Sequence, residues 1–519
     1  MVSPSPVVCV TWCGSIFAGS AAASYARWVT RTLRNSALGI TAALIGWFIL
    51  VELVSGILQG YYVPLFSDIV IHLGIHDSDV NWFEAAQLLL SSIVVPVLAK
   101  IGDMFGHKKV LLIATVLTAG ATWWVAFAGT FESFLIAWAL QGFYVVWLPL
   151  EIALVFERGR RQARGTSATR RAAGLLIVGL QAGAIIGALA AGRIFAATGE
   201  NLTVTLMIPA IAVTAVFFVI LFGVPESEPL PDRRLDAWGF VILTLGLLLV
   251  TTALTFLRMP DLPSWLTWVL LPLGIAVLVV FVRFELSQDD PAIDVRVFRR
   301  PEMWPIQTTA FLLGISVLGA QAPLSTFVGT DPAVGYGLGL DATERSNVIG
   351  AYLVFVILGA IIFSVTSRSL PPRVLLIVGA ALLGVGYALF LPFHDTLPQV
   401  IVNMAVAGVG SGALLAALPA AAAAAAPRGQ TGVASALTNT TKTIGGTFAS
   451  AVFGVVLAAG VGAVASDTAA SLGGYMAVWS ICAGGGLLAA VLLFFVPKVA
   501  FADTETEELE AAAGESQIV

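Results

Sequence analysis

The chain has 519 residues, of which 58% are hydrophobic and 11% charged, against roughly a quarter charged in ordinary soluble domains. Too little polar surface exists to coat a water-soluble globule of this length, so most of the exterior faces lipid. The net charge of −5 argues against a nucleic-acid partner, and three cysteines, Cys9, Cys13 and Cys482, are too few for a disulfide framework.

Residues 1–36 form an N-terminal extension, apolar but without the basic start of a signal peptide. Apolar runs then follow near 37–63, 81–99, 110–128, 134–156, 172–197, 202–224, 237–257, 265–282, 305–330, 347–365, 374–391, 397–426, 432–464 and 471–496. Each is long enough to cross a hydrocarbon core, which takes about 20 residues. The runs are continuous rather than alternating, which excludes a closed β-barrel. The fold class is therefore an all-α, multi-pass membrane protein with fourteen transmembrane helices. With both termini cytoplasmic, every Lys and Arg except Arg193, Arg258 and Arg345 falls on the inner side, as the excess of positive charge in cytoplasmic loops requires.

Three polar interruptions, at 157–171, 225–236 and 284–305, divide the helices into six, two and six. The expected units are a six-helix bundle at 37–224, two inserted helices with flanking cytoplasmic loops at 225–304, a second six-helix bundle at 305–497, and an acidic cytoplasmic tail at 498–519. "KKVLLI" at 108–113 recurs as "PRVLLI" at 372–377, each opening a span after a short basic loop. Two related bundles around a midplane site are the architecture of a transporter.

The loop between spans two and three concentrates Gly102, Asp103, Gly106, His107, Lys108 and Lys109. Glycines permit a tight turn, and Asp103 is suited to accept from a helix N-terminus or pair with a basic side chain. Such a latch can bias one access state. Two carboxylates stand out inside spans, where charges are expensive and functional. Glu52 heads a stripe with Ser55, Gln59 and Tyr62, and Glu151 lies in a stripe with Gln141, Tyr144 and Trp147. Proton coupling is one reading of the two acids; a structural bond to a neighbouring helix and direct contact with a cationic substrate are the others. Gln181, Gln307 and Gln321 are further cavity candidates, with interhelix bonding as the alternative. Gly179, Gly183 and Gly187 are spaced for close helix packing. Arg193 and Lys442 read as anchors at the membrane interfaces. His72 and His76, among Asp68, Asp77 and Asp79, read as part of a solvated outer loop rather than a metal site. The chain contains no GxxxxGK[ST] phosphate loop and no catalytic constellation, so no cofactor, metal or enzymatic activity is expected.

"AKIGDMFGHKKVLL" (99–112) resembles the signature loop of the major facilitator superfamily. The six-two-six division resembles that family's fourteen-span drug:proton antiporter-like branch, as do Trp82, "DVRVFRRPEMWP" (294–305) and "RGQTGVASALTNTTKTIGG" (428–446). The resemblance implies a major facilitator fold, with spans one and four lining a central cavity. It implies a proton-coupled multidrug-type exporter of hydrophobic or amphipathic small organic molecules, working by alternating access in a bacterial inner membrane. Its partners are then the lipid bilayer, a small-molecule substrate and protons, with the chain acting as a monomer. Three departures weigh against coupling. Ser55 stands where the branch carries a span-one aspartate, Trp138 stands where it carries the arginine of R-x-x-Q-G, and "GLQAGAIIGALAAG" (179–192) lacks the span-five proline. An uncoupled facilitator or symporter is the alternative within the class, and a non-transporting scaffold or sensor the alternative outside it.

Overall fold

The structure, a computed structural model, describes residues 43–161, 165–226, 236–256, 263, 265–288, 291, 295–367, 369–425, 431–459 and 468–495. The N-terminal extension 1–36 with Cys9 and Cys13, and the acidic tail 498–519, lie outside the described residues.

Among the described residues there is no strand, and fourteen helices are long and apolar enough to cross a membrane. The first six are α1 (Ala43–Leu73), α2 (Asp77–Phe105), α3 (His107–Phe127), α4 (Phe131–Val155), α5 (Gly174–Ala197) and α6 (Leu202–Gly223). The inserted pair is α7 (Ala237–Phe256) and α8 (Trp265–Glu285). The last six are α9 (Trp304–Gly329), α10 (Ala342–Thr366), α11 (Pro372–Leu389), α12 (Leu397–Ala425), α13 (Leu437–Ala458) and α14 (Leu472–Leu493).

The first helix runs further than its apolar run implied. Pro64 sits in a 3-10 turn, Val63–Leu65, and the chain resumes as helix to Leu73, because proline lacks the N–H that would continue the α ladder. The end opposite the basic loops carries side-chain caps where helices begin. Thr130 caps α4, Asn201 caps α6 and Ser471 caps α14. Asp341 and Glu344 form a reciprocal capping box at the start of α10. These short polar residues satisfy N–H groups that no preceding turn can bond.

Glycines set how closely the helices meet. A Cβ on Gly183 would lie 1.9 Å from the Leu53 carbonyl oxygen, and one on Gly56 would lie 1.8 Å from that of Leu180. Gly60, Gly179 and Gly187 extend the same seam, so α1 and α5 touch backbone to backbone. The second bundle repeats the arrangement between α9 and α13, with Gly314 against the Lys442 carbonyl and Gly445 against that of Phe311. The bundles meet along two lines, α2 against α13 and α5 against α10. Helices α7 and α8 pair through Gly246 against Leu278 and Gly274 against Val250. Their buried Leu243, Leu247 and Phe281 pack on Leu89 and Ile93 of α2 and Phe448 of α13.

Candidate functional site

Glu52 and Glu151 are both fully buried, at 0% exposure. Their carboxyl groups are in side-chain contact, and Ser55 stands beside Glu52. No hydrogen bond of good geometry reaches any of the four oxygens among the described residues. Two acids from α1 and α4 thus face one another in a dry interior, where each is the other's polar neighbour.

The residues around them come from the same two helices and α2. Gln141 donates to the Tyr62 hydroxyl at 3.0 Å, and Tyr62 lies edge-on to Trp138 with ring centroids 4.7 Å apart. Tyr144 packs edge-on against Trp147 at 6.2 Å, and the indole nitrogens of Trp138 and Trp147 have no partner among the described residues. Tyr144 lies near both Glu52 and Glu84. Glu84, a half-buried carboxylate on α2, is a residue that sequence reasoning missed. Its signal was a lone acid inside the second apolar run, two positions after Trp82. Gln59 is exposed although it shares a face with Glu52. Gln181 and Gln321 are half-buried on α5 and α9. Gln307 is buried and donates to Thr438 on α13 at 3.0 Å, which makes it a link between helices.

The inner loop grips α6 rather than the second bundle. Gly106 takes φ +106°, a conformation that favours glycine, and the Glu226 carboxylate just past α6 accepts from the Lys108 backbone N–H at 3.0 Å. The Lys108 ammonium donates to the Leu221 carbonyl at 2.8 Å. Asp103 lies 3.3 Å from His107 Nε2 at the start of α3, Gly102 leaves room for Leu150 of α4, and Lys109 is exposed.

The opposite end of the molecule corrects one expectation. Asp77 and Asp79 are buried rather than solvated. The Asp77 N–H donates to the Thr468 carbonyl at 2.8 Å and its carboxylate accepts from Tyr475 at 3.4 Å. Among the described residues no group of three His, Cys, Asp or Glu is placed to hold a metal ion. Arg193, exposed near the end of α5, donates to Asn347 of α10 at 3.0 Å, a bond between the bundles. Arg345, at 4% exposure, pairs with Asp68 and donates to the Pro64 carbonyl at 2.9 Å. Ser325 bonds the Val63 carbonyl, and Ser346 accepts from the Gly192 N–H at 2.9 Å. These bonds between the bundles gather at the end away from the basic loops.

Known proteins agree with this architecture. The family model described as Major Facilitator Superfamily matches residues 48–450 and 306–515. The chain is 27% identical over 301 residues to Quinolone resistance protein NorB of Staphylococcus aureus (strain Newman), a match covering 56% of this chain and 62% of that protein. The chain therefore spans less than two thirds of that relative's length. Among solved structures, it is similar to the nucleoside transporter NupG, with a TM-score of 0.57 at 15% identity over 88% of this chain and 98% of that one. It is also similar to a peptide transporter POT in complex with alafosfalin, with a TM-score of 0.61 at 14% identity over 89% and 98%. The human organic anion transporter MFSD10 gives 0.56 at 14% over 88% and 99%. Fourteen apolar helices and a family match over most of the sequence lead to one conclusion: the chain is a membrane transporter and belongs to the major facilitator superfamily.

Proposed function

We propose that the protein exports a small amphipathic organic molecule across a bacterial cytoplasmic membrane in exchange for protons, acting as a monomer by alternating access. The observation that carries the reading is the buried contact between Glu52 and Glu151. Two ionised carboxylates in contact repel strongly away from water, whereas one proton between them gives a donor and an acceptor. A group that holds a proton in one access state and releases it in the other is what coupling requires. Efflux is supported by the likeness to a quinolone resistance protein, and acids set among Tyr62, Tyr144 and Trp147 favour cargo that carries a cationic amine.

The test uses proteoliposomes with an acidic lumen, challenged with a panel that includes a quinolone and lipophilic amines. The expected result is compound-dependent alkalinisation of the lumen, abolished by Glu52→Gln. Compound moving only down its own gradient, with no proton response, would overturn coupling. One observation favours that second reading of an uncoupled facilitator. Trp138, at the position where similar antiporters carry arginine, is buried against Phe134 and Tyr62 and leaves no cation beside the acids there.

A further inference from the structure

Lys442 lies inside the membrane-crossing helix α13, which begins at Leu437; at 1.5 Å per residue it is about 8 Å along that helix. The Lys442 side chain lines a small pocket between α9, α12 and α13, whose other walls are Ala310, Leu313, Leu414, Leu418 and Pro419. Its polar lining besides Lys442 is Thr438 and Asn439, and no acidic residue contributes to it. The Thr438 hydroxyl is already engaged, donating to the Ala434 carbonyl at 2.9 Å and accepting from Gln307. No ion pair to Lys442 occurs among the described residues. An ammonium carried this deep without a counter-ion is expensive, and membrane proteins keep such groups for ion or substrate pathways.

We infer that Lys442 receives an anionic oxygen group of the cargo, specifically a carboxylate. This deepens the export reading given above and rests on it for the identity of the cavity as the cargo site. The pocket is open on one side and its volume is about 30 Å³; a water needs roughly 10–15 Å³ of such space, so a two-oxygen group has room beside the ammonium. The leucine, alanine and proline walls offer that group no competing donor, which favours a charge-assisted bond to Lys442. The acids lie in the first bundle and Lys442 in the second, so a cargo that meets both carries an amine and a carboxylate.

A matched pair of fluorescent probes tests this. Nε-dansyl-lysine and dansylcadaverine share the dansyl ring, the alkyl chain and a primary amine, and differ only in the carboxylate. Equilibrium binding to the detergent-solubilised full chain is expected to favour dansyl-lysine by about tenfold, the value of one good charged bond. Lys442→Met is expected to erase the preference while leaving dansylcadaverine affinity unchanged, and Lys442→Arg to retain it. The unchanged dansylcadaverine affinity certifies that the variant is folded. Equal affinities in the unaltered protein, an equal loss of both probes in Lys442→Met, or no saturable binding of dansyl-lysine would each overturn the inference. Transport is read separately in proteoliposomes. Selective binding without movement of either probe sinks the export reading and leaves the role of Lys442 standing.

Discussion

At 4 Å, two like unit charges repel by about 4 kcal/mol at an effective dielectric constant of 20, and Glu52 and Glu151 are in contact with no compensating donor. Replacing either acid by its amide removes a titratable group but preserves shape. Glu151→Gln is therefore expected to cut proton-driven exchange at least as severely as Glu52→Gln, while probe binding in detergent changes by less than about threefold. Measuring both on the same preparations checks this; loss of binding together with exchange would point to a structural role instead. Glu84, on α2 close to Tyr144, is the third acid of this bundle's interior. Glu84→Gln is expected to weaken amine cargo by about tenfold and to leave the proton response per molecule of cargo unchanged.

The elements show which parts of this were legible beforehand. All fourteen helices could be read from the chain, because a span must be about 20 apolar residues whatever it packs against. Pairing was not legible in the same way. Glu52 and Glu151 were each visible as charges in apolar runs, but their contact depends on how far α1 and α4 rise and on which faces turn inward. Lys442 was visible as a charge in the thirteenth apolar run, but its place with Thr438 and Asn439 in a pocket between α9, α12 and α13 needed the packed helices. Gly179, Gly183 and Gly187 were readable by spacing, yet their partners Gly56 and Gly60 emerge only with the backbone of α1 in place. That seam makes a graded prediction. Gly183→Ala drives a methyl group into the Leu53 carbonyl and is expected to destabilise by about 1–3 kcal/mol. Gly46→Ala, in the same helix pair with nothing within 4 Å, is expected to be neutral or to stabilise by about 0.4–1 kcal/mol. Thermal unfolding of the two variants, measured side by side in one detergent, distinguishes them.

Across the whole molecule, the bonds between bundles cluster at the end away from the basic loops, with the Asp68–Arg345 pair among Pro64, Ser325 and Asp77. Breaking a buried ion pair from one side costs about 3–5 kcal/mol, and the cost falls on the state in which this end is closed. Arg345→Met is thus expected to open that end. With Cys9 and Cys13 replaced by serine, and the buried Cys482 left in place, a Ser55→Cys reporter can be labelled with an impermeant maleimide from the outer side. Arg345→Met should speed that labelling by more than about tenfold; an unchanged rate would mean that the pair is not part of the closure.

The inserted hairpin has a consequence for how cargo arrives. Two bundles that rock against each other open two lateral clefts to the bilayer, one along α2 and α13, the other along α5 and α10. Helices α7 and α8 lie over the first, with Leu243, Leu247 and Phe281 packed across it. A molecule partitioned in the lipid therefore meets a wall on one flank and a doorway on the other. Any direct route from the inner leaflet to the interior between the bundles is one-sided, passing between α5 and α10.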